Sequence, residues 1–210
     1  MKKVITAALI ASLLILPLQV TVLADHEEAP AQPAAVQDFL PGDMPAGLAP
    51  DDSMLPAIHG LVLAMLNHGA PSFDLTDTGL VWESLYNMLS LYGQLDSRSE
   101  EQGGVLLLLE ETVQDYAAAL DISLADLPPL PSSLQDRLTC DPAHGFYYAV
   151  CGSDDLAQIQ VQTVRTRSGE FHLSGKLIYD AEGETLTRFE AVLQPRDNMF
   201  GYAVTGLTLG

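Results

Sequence analysis

The chain is short of cations. Of its 210 residues only 9 are Lys or Arg, against 28 Asp or Glu, so the formal net charge is −19. A surface this acidic repels phosphate, which excludes nucleic-acid binding through a basic face and disfavours anionic membrane surfaces. Cysteine is scarce, with only Cys140 and Cys151, and there is a single tryptophan. Catalytic signatures are missing as well. There is no Gly-rich phosphate loop, no G-x-S-x-G nucleophile elbow and no H-E-x-x-H array. Apolar residues are not lacking: at 48% they suffice for a packed core and exclude general disorder.

The first segment reads as an address. Lys2 and Lys3 precede an apolar stretch from Val4 to Pro17, and Val22-Leu23-Ala24 places small residues where a signal peptidase cuts. Residues 1–24 are therefore expected to be a secretory signal peptide, with a periplasmic or secreted product that has no membrane contact after cleavage. The rival is an uncleaved anchor helix, which Pro17, Gln19 and Thr21 weaken. Cleavage after Ala24 removes two lysines and takes the charge to −21. Residues 25–139 carry 19 acidic residues and two arginines, whereas residues 140–210 carry 9 acidic and 5 basic ones. Such acidity suits an exported protein in screening salt. Calcium is the rival, but Asp180-Ala181-Glu182-Gly183-Glu184 has its Gly too early for an EF-hand loop and reads as a turn.

In an exporting compartment an even cysteine count favours a disulfide. Asp141 to Gly145 has turn chemistry and Phe146 to Val150 reads as a strand, so Cys140 and Cys151 are expected to bridge the base of a hairpin. Closing that 12-residue loop is worth about 3 kcal/mol of chain entropy. A redox or metal role needs the closer Cys-x-x-Cys spacing.

Residues 25–52, rich in Ala, Pro, Gln and Asp, read as a flexible linker. Residues 53–210 then form a single domain. Ile58, Leu61, Val62, Met65 and Leu66 mark a helix over 55–67, capped by Asp52 or Ser53 and ended by Gly69. Gly60 and Ala64, one turn apart, let another element approach. Val81, Leu85, Met88, Leu89 and Tyr92 mark a second helix over 79–92, with Asp77 or Thr78 as cap and Gly93 as stop. Residues 94–104 read as a loop, and Glu110 to Leu120 as helix. The apolar run Val105–Leu109 fits a buried strand or the first turns of a helix. A Pro-rich crossover occupies 121–139.

The period then changes to two. Gln158–Gln162 alternates, and Arg167-Ser168-Gly169 fits a three-residue hairpin loop that pairs Ile159 with Leu177 and Thr163 with Leu173. Phe171, Leu173, Leu177 and Tyr179, then Phe189, Ala191 and Leu193, form inner faces. The expected fold is α+β: two to three N-terminal helices packed on a four- to five-stranded antiparallel meander over 140–210. The layout resembles that of NTF2-like and cystatin-like folds, which implies a curved sheet with a helical cover and nothing about function.

The histidines do not form a metal array. His59 and His68 point to opposite sides of one helix, His144 lies in a turn and His172 on the polar face of a strand. His26, beside the amine that cleavage frees at Asp25, pairs an imidazole with an amine as Cu(II) or Ni(II) sites do, yet sits on a linker. Adjacent carboxylates such as Glu100-Glu101 and Glu110-Glu111 diverge rather than form a dyad. No cofactor, metal site or catalytic residue is assigned. The leading expectation is a non-catalytic binding or accessory module with a protein or small-ligand partner. The alternative is an enzyme with a cavity between sheet and helices, lined by His59, Trp82, Tyr86, Phe171 and Tyr179 with His59 as acid–base.

Overall fold

The computed structural model of the protein describes residues 49–152, 156–179 and 183–210. The signal segment, His26, most of the linker and the Asp180–Glu182 part of the turn lie outside the described residues. Four helices follow in order: α1 (Pro50–Ser53), α2 (Leu55–His68), α3 (Thr78–Tyr92) and α4 (Glu110–Ala118). Eight strands accompany them: β1 (Glu100–Gln102), β2 (Val105–Leu109), β3 (Leu138–Asp141), β4 (Phe146–Val150), β5 (Ala157–Arg167), β6 (Glu170–Tyr179), β7 (Glu184–Pro195) and β8 (Tyr202–Leu209). The class is α+β, as the pattern implied, but the strands divide into two antiparallel sheets. One is small, in the order β1-β2-β4-β3, and the other is the meander β5-β6-β7-β8.

The helix ends follow local chemistry. Asp77 caps α3, its carboxylate accepting from the Leu80 amide at 3.1 Å. Gly69 ends α2 in the left-handed conformation, φ +64°. Neither Asp52 nor Ser53 caps α2; both lie in the helical turn α1, and Met54 occupies the cap without a side-chain bond. Gly93 does not stop the chain abruptly either, because it continues into a tight turn over Gly93–Leu95.

Helix α2 is the centre of the domain. It touches α3 on one side and β5, β7 and β8 on the other. Eight of its residues are buried, Ala57 to Val62 without interruption together with Ala64 and Met65. The burial is thus broader than a stripe through the middle of the helix, but it stops before the last turn, where Leu66 is 40% exposed. Gly60 allows that burial. A Cβ there would lie 2.6 Å from Met88 Cγ and 2.8 Å from the Ser84 carbonyl oxygen, so α2 and α3 meet backbone to side chain. Asn87 Nδ2 donates to the Gly60 carbonyl at 3.1 Å and fixes the crossing. Helix α3 continues outward to α4 and β4. The buried side chains of both sheets and of the helices form one continuous apolar cluster.

The meander carries its apolar residues as the alternation requires. Phe171, Leu173, Leu177, Phe189, Ala191 and Leu193 face the helices. Ile159 pairs with Leu177 as expected, but Thr163 faces Ser174 rather than Leu173. Two features cause the shift. The β5–β6 turn has two residues, Ser168 (φ +54°) and Gly169 (φ +83°), with Arg167 opposite Glu170, a left-handed pair that matches the strand twist. A bulge at Gln162 then absorbs one residue. Further register shifts put one extra residue on β7 (Leu186, opposite the Leu177/Ile178 step) and one on β8 (Thr205, opposite Val192/Leu193). Each strand pair of the meander therefore contains one bulge.

The expected disulfide is not formed; both cysteines are free thiols. Cys140 on β3 pairs with Tyr147, because the turn closes between Asp141 and Phe146. Cys151 lies four residues further along the β4 direction and donates its amide to the Gly104 carbonyl at 2.9 Å. That offset puts the two Cα atoms about 13 Å apart, well beyond the roughly 4.4–6.8 Å that a disulfide spans.

Candidate functional site

The five side chains expected to line one cavity are not brought together around one. His59 is buried between the helices, its Nδ1 2.6 Å from Tyr92 Oη with the rings edge to face. Beside it Tyr116 Oη donates to the Tyr92 carbonyl at 3.0 Å. Burial pushes the Tyr116 hydroxyl up to about 12, so it remains a protonated donor. Trp82 donates Nε1 to the Pro128 carbonyl at 2.9 Å and pins the Pro-rich crossover to α3. Tyr86 donates to the Val150 carbonyl at 3.3 Å, with the Arg137 guanidinium 4.9 Å above its ring. Phe171 packs edge to face on Tyr202 within the meander core. Tyr179 is half-buried at the end of β6, opposite Ala157 and Glu184. These residues tie elements together.

The remaining histidines sit in local pairs. His68 Nε2 lies 2.8 Å from Glu83 Oε2, joining α2 to α3. His144 Nδ1 lies 2.8 Å from Asp141 Oδ2 across the β3–β4 turn and holds that carboxyl below the usual range. Among the described residues no three His, Cys, Asp or Glu side chains converge as metal ligands. No helix among them is long and apolar enough to cross a membrane.

The small sheet offers a surface that the sequence did not single out. Its inner face is conventional: Leu106, Leu108, Leu138 and Ala149 are fully or almost fully buried, with Tyr147 beside them. Burial raises the Tyr147 hydroxyl well above the ordinary tyrosine range, and its bond to the Cys140 thiol adds to this. The outer face is also apolar. Register pairs Val105 with Val150, Leu107 with Tyr148 and Leu109 with Phe146. All six point away from the core. Leu109, Tyr148 and Val150 are 37–39% exposed, and the other three are half-buried. The strip is bordered by Glu100 and Gln102 on β1 and by Thr139 and Asp141 on β3. A depression of about 310 Å³ opens where Val105, Leu107 and Tyr148 meet Glu100 and Glu101. The surface is thus an apolar floor with a carboxylate rim and no Lys or Arg on the outward positions of its four strands.

One signal for it was present in the sequence. A Val-Leu-Leu-Leu-Leu strand is apolar on both faces, and only one face can turn to the helices. Comparison with protein-family models, with curated proteins and with solved structures finds no match to the chain.

Proposed function

We propose that the protein is a non-catalytic binding module that docks a protein partner on the outer face of the small sheet. The supporting observation is the strip of three cross-strand apolar pairs, Val105/Val150, Leu107/Tyr148 and Leu109/Phe146, left open to solvent. A contiguous apolar patch with a polar border is the usual mark of a protein interface. It includes an aromatic anchor, Tyr148, of the kind that dominates interface energetics. The carboxylate rim selects the partner: an apolar segment flanked by Lys or Arg fits, and an acidic one is repelled. The buried side chains of meander and helices form one continuous apolar cluster, which favours this reading over a catalytic cavity between them. The protein acts after export, outside the cytoplasm.

Site-specific photocross-linking tests the reading. A benzoylphenylalanine replacing Tyr148 is expected to capture one discrete partner in the native host, at a site whose apolar residues are flanked by basic ones. The same probe at Lys176, on the other sheet, is expected to capture none. Leu107→Thr, which suits a strand, is expected to weaken capture with the fold retained, because Leu107 is outside the core. Failure of Tyr148 to capture anything, or capture of an acidic segment, refutes the proposal.

A further inference from the structure

The second sheet has an unusual charge pattern on its own outer face. Register places Arg165, His172, Val192 and Gly206 in one row across β5 to β8, and Thr163, Ser174, Glu190 and Thr208 in the next. Lys176 and Arg188 follow on the same face, and Arg167 stands beyond Arg165. Four of the chain's nine cations therefore share one surface of a protein with 28 acidic residues.

The other arginines have partners: Arg137 lies 4.9 Å over the Tyr86 ring. Arg98 bonds Asp96 and Asp115, and Arg196 grips Asp121 with two nitrogens. Among the described residues no carboxylate lies within ion-pair distance of Arg165, Arg167, Lys176 or Arg188. Glu170, at the rim, is already engaged by Gln194 at 2.8 Å and His172 at 3.8 Å. That leaves Glu190 as the carboxylate between the cations, with no ion pair among the described residues.

The face is also hollow. A trough of about 790 Å³ lies over the Arg165 and Thr163 rows, and a further depression of about 320 Å³ continues it past Ser174 and Glu190 to Arg188. Arginines thus stand at both ends, four residues apart along β6, or about 13 Å. Gly206 lies on the floor. A strand-interior glycine costs roughly 0.5–1 kcal/mol relative to alanine, so it needs a reason. It directly follows the bulged Thr205, a common place for a strand glycine, but neither a left-handed conformation nor close packing requires it. Its φ is not positive, and a Cβ would meet Val192 at an ordinary 3.8 Å. Its effect is to keep the trough open, as glycines do where a ligand approaches a strand.

We propose that this trough binds an acidic oligosaccharide. Unpaired arginines at its two ends suit carboxylate groups, which guanidinium holds with two parallel bonds. The hydroxyls of Thr163, Ser174 and Thr208 both donate and accept, as sugar hydroxyls do, and Glu190 adds an acceptor. An acidic peptide fits less well. The central strands β6 and β7 are paired on both sides, so their amides and carbonyls are committed to ladders, and Val192 is the main apolar side chain a peptide would meet. The site is independent of the docking face on the small sheet.

Titration of the ¹⁵N-labelled protein with tetragalacturonate, the neutral galactose tetramer and a tetraglutamate peptide tests it. Tetragalacturonate is expected to give saturable shifts confined to amides of 163–174 and 188–208, and the other two none. Arg165→Gln/Arg167→Gln is expected to weaken binding about ten-fold or more. Gly206→Thr, which fills the trough without strain, is expected to do the same with the fold retained. No saturable binding, equal binding of the neutral tetramer or the peptide, or unchanged affinity in folded Gly206→Thr overturns the proposal.

Discussion

Two glycines in this protein are expected to respond to alanine with opposite signs. At Gly60 the new Cβ would sit 2.6 Å from Met88 Cγ, 2.8 Å from the Ser84 carbonyl oxygen and 3.0 Å from the Met88 amide nitrogen. Two of these atoms are backbone and cannot swing aside, so α2 and α3 must separate and strain the Asn87 bond to the Gly60 carbonyl. Overpacking of this kind costs typically 1–3 kcal/mol. With two backbone contacts the upper end applies, and the gain in helix propensity returns about 1 kcal/mol. Gly60→Ala is therefore expected to lose about 2 kcal/mol, which lowers the melting temperature by about 4–8 °C for a domain of this size. At Gly206 the Cβ meets nothing closer than 3.8 Å, and Gly206→Ala is expected to gain up to about 1 kcal/mol. Urea unfolding of the two variants, followed by the fluorescence of the single tryptophan, reads both signs in one assay. A Gly60→Ala variant as stable as the parent refutes the α2–α3 contact. Met88→Ala in that background removes only the Cγ clash and is expected not to restore full stability.

Further expectations follow from the thiols, the ion pairs and the tryptophan. Without reductant, mass spectrometry after iodoacetamide should show two alkylated cysteines, Cys140 faster than Cys151, because Cys140 is exposed while burial and nearby Glu101 raise the Cys151 thiol; a mass two protons lighter, with no label, refutes the register. The Arg98 guanidinium lowers Asp96, and Arg196 lowers Asp121. Each carboxylate therefore contributes stability that is complete above its unfolded value near 4 and is lost as pH falls through its lower folded value. Denaturation midpoints should fall below about pH 4, and less steeply in Arg98→Met. Trp82→Phe, which leaves the Pro128 carbonyl without its 2.9 Å donor, should cost about 1–2 kcal/mol in thermal melts; no loss would detach the crossover from α3.

Much of the domain was legible because period and chemistry agree over long stretches. The meander's inner face, the bounds of α2 and α3 within a residue and the close approach at Gly60 all follow from spacing. What escaped is non-local. Strand β1, Glu100–Gln102, is too polar to stand out, and only pairing with Val105–Leu107 makes it a strand. The partnership of β4 with β2 joins segments about forty residues apart, which no local signal announces. Bulges leave no compositional mark: the slip at Gln162 moved Thr163 from Leu173 to Ser174. A separate pairing defeated the Cys140–Cys151 bridge: the β3–β4 turn closes between Asp141 and Phe146, so Cys140 faces Tyr147 and not Cys151. The open surfaces were less legible because aromatics and histidine draw the eye for chemistry. Trp82, Tyr86 and Phe171 do packing and anchoring, while the open surfaces are made of ordinary aliphatic, hydroxyl and arginine side chains.

The three bulges at Gln162, Leu186 and Thr205 carry a consequence for how this chain can change length. Each extra residue is exposed and has no partner of its own across the ladder. Deleting one restores plain alternation, and every neighbouring side chain keeps its side of the sheet. Deleting any other interior residue of the same strands exchanges the buried and exposed sets beyond it. The meander thus has three points at which a single-codon loss is silent in topology yet relaxes the local coiling that hollows its outer face. Length variation at these points would reshape the trough in small steps while the core beneath it stayed as it is.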